Sequence, residues 1–317
     1  MTYELRFLVI VLAAFAWSSL AASALVPRLA RRFSTDDPAR LATKLWRLRT
    51  VPVGVGLLVA SLAATSYLFF EPHDIDERTG LVLIGLALFS VSMWLGGISR
   101  AFGQMLYTRR TVRPLLEDAE RVQLEGLDAP AYLVETDFPI VAVVGFLRPR
   151  LVIARSVMNA CPPEEIGAIV AHERAHMSRY DNLRRLAFHS WPDVLGLTGL
   201  DRDLRAAWHT ATENSADDAA DDAAEGGRVI LAQALIRVAR LTPAGPPKPL
   251  PISALSALYR GENLDRRVRR LLAPRAIAAA PAPWWRVWSI GLSVAIIMGI
   301  TLETIHQLVE VAVAYLP

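Results

Sequence analysis

The chain has 317 residues, of which 53% are apolar and 21% are charged, with a formal net charge of +3. Soluble domains are about 45–50% apolar, so this composition favours membrane-spanning segments. The small net charge and the position of basic residues beside apolar runs argue against direct nucleic-acid binding. The single cysteine, Cys161, excludes an intrachain disulfide.

Four apolar stretches are candidates for membrane spans. A hydrocarbon core about 30 Å thick needs roughly 20 apolar residues in a helix. Residues 5–26, 51–70 and 80–98 meet this requirement. A fourth stretch, 284–302, opens with a tryptophan cluster typical of the membrane boundary. The sequence therefore predicts four transmembrane helices.

Loop charges predict the orientation of these spans. Residues 27–50 are rich in arginine, 71–79 are acidic, and basic residues resume after Ile98. Because basic loops stay in the cytoplasm, we expect a multi-pass protein of the inner or plasma membrane with external N- and C-termini. The expected domains are three transmembrane helices (1–99), a cytoplasmic domain (100–283) and a fourth transmembrane helix with a short tail (284–317).

The cytoplasmic insert has an α+β pattern. A charged helix is expected through Arg121, followed by a small antiparallel sheet from the apolar runs 131–135, 139–145 and 150–154. Pro163 and two following glutamates start a helix that is expected to continue towards Phe188. Two more helices are predicted over 201–224 and 228–241, separated by a glycine pair.

A proline-rich connector and a basic helix precede the fourth span. Residues 243–251 have too many prolines for a helix. An apolar stripe with arginines on both sides follows, formed by Leu264, Val268, Leu271 and Leu272. Two interpretations stay open, a helix packed on the domain and a helix lying on the anionic inner leaflet.

The sequence His172-Glu173-Arg174-Ala175-His176 is the strongest candidate for chemistry. Residues i and i+4 of a helix share a face, so His172 and His176 can bind one metal ion. A catalytic zinc ion takes three protein ligands and keeps a fourth position for water. Glu173 is then the candidate general base, which takes a proton from water and passes it to the leaving amine.

The third ligand must come from another element. Glu213 is the main candidate, because Asp217 lies four residues later on the same helix face and can orient a zinc-bound histidine. His209, one turn before Glu213, is a competing ligand. We expect Asp218, Asp221 and Asp222 to form a solvated acidic face, and we assign no role to His73, His189 or His306.

Four segments of the insert resemble the BlaR/MecR-type membrane metallopeptidases, the antirepressor family that includes β-lactam sensor-transducers. These segments are 146–153, 163–182, 213–220 and 263–272. The resemblance implies a gluzincin-like fold, one Zn²⁺ per chain held by His172, His176 and Glu213, and Glu173 as catalytic base. It further implies that Asp181 and Asp217 support the ligands. The strand expected to bind substrate as an added β-strand consists of Val141, Ala142, Val143, Val144 and Gly145.

The resemblance also suggests a role in signalling. The sequence stops at Pro317, so we expect a short form without the penicillin-binding sensor domain and without β-lactam sensing. The expected partners are the lipid bilayer and a protein substrate such as a transcriptional repressor, with a homodimer left open.

Three functions compete at this point. The first is a regulated zinc endopeptidase that cleaves a cytoplasmic regulator or itself. The second is a quality-control peptidase similar to the HtpX class, which would cut damaged membrane proteins indiscriminately. The third is a non-catalytic membrane scaffold with a vestigial site, which would bind no stoichiometric zinc.

Overall fold

Three long helices form the N-terminal part of the chain in the computed structural model. They are α1 (Tyr3–Ala30), α2 (Pro38–Phe70) and α3 (Leu81–Glu117). Each is long and apolar enough to cross a membrane. The structure describes residues 2–30, 37–70, 80–136, 138–242, 256–257 and 264–273. The fourth predicted span, the acidic loop and the proline-rich connector lie outside the described residues.

Small residues allow these helices to pack closely. Phe15 and Ala16 of α1 form a buried cluster with Ala60 of α2 and Met93 of α3. A Cβ at Gly56 of α2 would lie 2.8 Å from the Phe15 ring, so this crossing requires glycine. Such small-residue interfaces are typical of helices that associate in lipid. The outward faces carry exposed apolar side chains, among them Leu57, Leu68, Leu88, Leu95 and Ile98.

A five-stranded sheet follows α3. Its strands are β1 (Glu120–Val122), β2 (Ala131–Val134), β3 (Val141–Val144), β4 (Arg150–Ala154) and β5 (Ser256–Ala257). They lie in the order β1-β2-β4-β3-β5. β2 runs parallel to β4, and the other neighbours are antiparallel. The expectation of a purely antiparallel sheet is therefore wrong, because β4 lies between β2 and β3 rather than at an edge.

Helices cover the sheet and complete the domain. They are α4 (Arg155–Ala160), α5 (Pro163–Ser178), α6 (Asp181–Ser190), α7 (Gly199–Ala223), α8 (Gly227–Arg240) and α9 (Leu264–Leu272). Leu151 and Ile153 of β4, Ile169 of α5, and Leu231 and Leu235 of α8 are buried in one core. This layer of helices on a sheet gives the site helices α5 and α7 a rigid support.

Two helix boundaries differ from the sequence expectation. The charged helix ends at Glu117, and Arg121 lies in β1. The helix expected to reach Phe188 is interrupted at Tyr180, whose φ of 53° is left-handed. A left-handed residue cannot continue an α-helix, so α5 ends and α6 starts in a new direction at Asp181.

α9 packs on the domain, as one of the two interpretations of the basic helix predicts. Leu271 joins the main core. Arg270 pairs with Asp218 of α7 at 2.7 Å, and Arg228 of α8 donates to the Leu271 carbonyl at 3.1 Å. These contacts anchor α9 against α7 and α8.

A buried arginine joins α2 to the connection between α6 and α7. Arg49 donates to Asp193 at 2.5 Å and to Asp201, near the start of α7, at 2.7 Å. Arg100 of α3 donates to the His189 carbonyl at 2.8 Å. Two candidate membrane helices therefore hold the segment that leads into α7.

Candidate metal centre

α5 brings two imidazole rings together in the interior. His172 and His176 are one helical turn apart, and both are buried. Their Nε2 atoms lie 3.2 Å from each other. Burial lowers the pKa of His172, and the neighbouring charge of Arg267 and His176 acts in the same direction. The neutral imidazole favoured by burial is the form that binds metals.

α7 supplies a carboxylate to the same point. Glu213 has one oxygen 3.7 Å from Nε2 of His172 and the other 3.5 Å from Nε2 of His176. Burial opposes ionisation of Glu213, but His176 and Arg267 outweigh it and lower its pKa to about 2. Glu213 is therefore a carboxylate at neutral pH.

These three side chains could hold a metal ion. In a tetrahedral zinc site each ligand atom lies about 2.0–2.2 Å from the metal. The ligand atoms are then about 3.3–3.6 Å from one another. The two Nε2 atoms here are 3.2 Å apart, and the two Glu213 oxygens lie 3.5 and 3.7 Å from them, all close to that range. Two imidazole nitrogens and one carboxylate also form a donor set of the kind found in catalytic zinc sites.

Two further carboxylates stand behind the histidines. Oδ2 of Asp181 lies 2.7 Å from Nδ1 of His176, and Oδ1 of Asp217 lies 3.1 Å from Nδ1 of His172. Burial opposes ionisation of both, but for Asp217 the charge of Arg267, and for Asp181 the hydrogen bond from His176, lower the pKa. An ionised carboxylate only accepts hydrogen bonds, so it favours the proton on Nδ1 and leaves Nε2 for a metal.

Glu173 is wholly buried beside this group. Burial, reinforced by the charge of Glu213, raises the pKa of Glu173 well above its ordinary value. The Val143 backbone amide opposes this rise. Neither carboxylate oxygen makes a hydrogen bond of ordinary geometry with the described residues. A buried carboxylate without such partners is costly unless a group such as water or substrate binds it.

α9 adds a residue that sequence reasoning did not assign to the site. The Arg267 guanidinium donates to both oxygens of Asp217, at 2.5 and 3.2 Å. Its Nη1 lies 3.4 Å from Oε2 of Glu213. The sequence does contain a signal for burial of Arg267. This residue lies three positions after Leu264 and four before Leu271, so it shares a helix face with the apolar stripe.

Two more contacts fix the surroundings of the histidines. Arg179 donates to Asp181 at 3.2 Å and to Ser215 of α7 at 2.9 Å. The Asn182 amide donates to the carbonyls of Val143 at 2.9 Å and Gly145 at 3.2 Å. Neither role could be assigned from the sequence, because both depend on the turn at Tyr180.

The remaining polar candidates lie outside the triad. His209 has Nδ1 3.9 Å from Glu213 and is partly exposed, so it neighbours one ligand rather than completing the set. Asp218 binds Arg270 instead of facing solvent, which corrects that part of the acidic-face expectation. His189 contacts Arg205, while His73 and His306 lie outside the described residues.

The strand expected to bind substrate is already paired on both sides over two residues. β3 bonds to β4 on one side, and Ala142 and Val143 face Ala257 and Ser256 of β5 on the other. A substrate strand would have to replace β5 at these positions. Gly145 lies beyond β3 with a φ of 93° and close to the Arg148 carbonyl, where a Cβ would lie 2.9 Å away.

In comparisons with known proteins, no family model matches the chain and no curated protein matches it.

Proposed function

We propose that this protein is a membrane-bound zinc endopeptidase of gluzincin type, similar to the BlaR/MecR antirepressor class. The observation that carries the proposal is the buried group of His172, His176 and Glu213, with Glu173 beside it. Two carboxylates behind the histidines and a third that approaches both Nε2 atoms form an arrangement typical of a metal site. A bound zinc ion would supply Lewis acidity and make water acidic enough to ionise near pH 7.

Glu173 carries out the proton transfers of peptide hydrolysis. The water oxygen attacks the carbonyl carbon while the Glu173 carboxylate takes the water proton. The carbon–nitrogen bond then breaks, and Glu173 returns the proton to the leaving nitrogen. The charge of a bound zinc ion would favour the ionised form of Glu173, and burial, which raises its pKa, would make that carboxylate a stronger proton acceptor than a solvated glutamate.

Substrate binds as an extended strand. The antiparallel pairing of β5 with β3 supports this, because it is the pairing that an added peptide strand would make. Asn182 holds the end of β3 through two carbonyls, so the strand is fixed relative to α6. Self-cleavage stays within the proposal, since β5 belongs to the same chain.

The domain works at the cytoplasmic face of the cell membrane. Four transmembrane helices, with both termini external, would place the insert beside the inner leaflet. Its substrate would be a cytoplasmic regulator such as a transcriptional repressor, or the chain itself. Arg49 and Arg100 provide a physical connection from the candidate spans to the site helices.

A matched pair of variants tests this proposal. Glu173→Gln removes the general base, while Glu164→Gln makes the same change at an exposed position in the first turn of the same helix. We would compare new protein N-termini in cells that carry the wild type or either variant, and measure zinc in each purified full-length protein. We expect one zinc ion per chain in all three, and loss of cleavage only in Glu173→Gln.

Two outcomes would contradict the proposal. Cleavage at the wild-type level by zinc-loaded Glu173→Gln protein would rule out the assigned chemistry. Absence of stoichiometric zinc from the wild type would favour the scaffold. Indiscriminate cutting of unfolded membrane proteins, with no preferred regulator, would transfer the same chemistry to a quality-control role.

A further inference from the structure

A second site lies away from the metal centre, where α3 leaves the predicted span. A groove of about 840 Å³ separates the end of α3 from the turn between β3 and β4. Met105, Val112 and Leu116 of α3 form its apolar wall on one side. Phe146 and Leu147 form the wall on the other.

Positive charge dominates this groove. Its charged side chains are Arg109, Arg113 and Glu117 from α3, Arg148 from the turn and Arg150 from the start of β4. Glu117 pairs with Arg113 at 3.0 Å. Within the part of the chain that the structure describes, no ion pair involves Arg109 or Arg148. Two guanidinium groups are therefore available to an anion.

The outer face of α3 places this groove at the membrane boundary. Large apolar side chains stay exposed along α3 beyond the predicted span, and the last of them is Tyr107. At about 1.5 Å per residue, the stretch from Leu81 to Tyr107 rises about 39 Å. A bilayer with its headgroups is about 40–45 Å thick.

One charge interrupts this apolar face, and it turns towards the protein. Arg100 donates to the carbonyls of His189 and Trp191. Arg109 is therefore the first arginine of α3 without such a protein contact, and it comes half a turn after Tyr107. Tyrosine is enriched at the headgroup level of membranes, which places Arg109 beside the lipid phosphates.

We propose that this groove binds the headgroup of an anionic phospholipid. The phosphate lies between Arg109 and Arg148, because guanidinium groups form paired hydrogen bonds with phosphate oxygens. The acyl chain follows the apolar wall at Met105 and the tip of the turn at Leu147, which is 74% exposed. An acidic peptide could also bind the arginines. It would not account for the apolar surface at Met105 and Leu147, which continues the lipid-facing surface of α3.

This site would fix the orientation of the cytoplasmic domain on the membrane. The turn that carries Arg148 follows β3 directly, and Val144 and Gly145 line the groove themselves. A bound headgroup would therefore hold one end of β3 against the leaflet. Membrane attachment through this groove does not depend on metal binding or peptidase activity.

Lipid binding by the full-length protein tests this site. Protein would be reconstituted in nanodiscs of phosphatidylcholine with about 30% phosphatidylglycerol, released, and its retained lipids counted by native mass spectrometry. Each arginine near an anionic surface is worth about fivefold in binding. We expect retained phosphatidylglycerol to fall about 25-fold in Arg109→Gln/Arg148→Gln. The matched control, Arg110→Gln/Arg121→Gln, removes two exposed arginines outside the groove and should retain the lipid.

Competition distinguishes the alternatives. No preference for phosphatidylglycerol over phosphatidylcholine in the wild type would overturn the proposal, as would equal losses in the two double variants. Displacement of the lipid by a soluble polyglutamate peptide, or by millimolar inorganic phosphate, would reassign the groove to a soluble anion. If Arg109→Gln/Arg148→Gln fails to fold, the single change Arg148→Gln in the exposed turn gives the same comparison against Arg121→Gln.

Discussion

Arg267 binds both carboxylate oxygens of Asp217, at 2.5 and 3.2 Å, although it lies 50 residues further along the chain. Asp217 in turn lies 3.1 Å from Nδ1 of His172. The same guanidinium is 3.4 Å from Glu213. α9 therefore completes a site whose candidate ligands all lie on α5 and α7.

Replacing Arg267 should weaken both the fold and the metal site. Arg267→Met leaves Asp217 buried without its charge partner, and breaking such a pair costs about 3–5 kcal/mol. Arg270→Met, the control from the same helix, removes a partly exposed pair worth about 1 kcal/mol or less. The measurements are urea unfolding of the detergent-solubilised protein and zinc affinity by chelator competition. Equal effects of the two changes on both measurements would show that Arg267 has no special part in the site.

The carboxylates behind the histidines should control metal affinity. Asp181→Asn and Asp217→Asn keep the side-chain shape but remove the charge that favours a proton on Nδ1. Such partners are typically worth 10–100-fold in metal affinity. We expect a loss in that range for each, measured by zinc competition. Asp218→Asn, on the same helix but paired with Arg270, should bind zinc like the wild type. A loss as large in Asp218→Asn would point to overall charge rather than orientation.

The ligand spacing on α5 could be predicted because both histidines belong to one helix, where a four-residue separation fixes a common face. Glu213 lies on another helix, so its approach depends on packing that no local pattern encodes. The sequence left Glu213 and His209 as candidates for the third ligand, and the structure brings the Glu213 carboxylate within 3.7 Å of both Nε2 atoms.

Other features depended on turns and strand order. The contact of Asp181 with His176 requires a left-handed backbone at Tyr180. Tyrosine rarely adopts this conformation, so it could not be predicted from the sequence. The parallel pairing of β2 with β4 was not predicted, because an apolar run indicates a strand but does not show which strand pairs with it. Arg267 was interpreted with the surrounding arginines as part of a basic helix, since residue type does not separate a buried guanidinium from solvated ones.

Glu173 should destabilise the metal-free protein as pH rises. Its folded pKa lies above the ordinary 4.5, so the folded state holds the proton more tightly than the unfolded state. The contribution of Glu173 to the free energy of unfolding is therefore fully present below about pH 4.5. It is lost as pH rises through the pKa of Glu173 in the folded state. Glu173→Gln stays neutral at every pH, so its advantage over the wild type should grow from pH 5 to pH 8.

Chemical unfolding with a metal chelator present measures this difference. We expect the stability of Glu173→Gln relative to the wild type to rise between pH 5 and pH 8, by about 1.4 kcal/mol for each unit by which burial raises the pKa of Glu173 within that range. Glu164→Gln should track the wild type across the same range. If the free energy of unfolding changes equally with pH in Glu173→Gln and the wild type between pH 5 and pH 8, Glu173 is solvated or paired in the metal-free protein.

Arg49 should be essential for joining the candidate membrane helices to the cytoplasmic domain. Its side chain is 1% exposed and neutralises Asp193 and Asp201. Burial raises the pKa of Asp193 although Arg49 opposes the rise, so removing the arginine leaves a costly buried carboxylate. We expect Arg49→Met to lose about 3–5 kcal/mol of unfolding free energy. Arg47→Met, an exposed position on the same helix, should change it by less than about 0.5 kcal/mol.

A second substitution separates charge from packing at this position. Arg49→Met/Asp193→Asn removes the charge that Arg49→Met leaves without an arginine partner, while Asp201 keeps Arg205 at 2.9 Å. The double variant should therefore recover part of the loss, and limited proteolysis between α6 and α7 should decrease in parallel. A double variant as unstable as Arg49→Met would mean that the arginine acts through its packing on Phe188, where its guanidinium lies 5.9 Å from the ring centre.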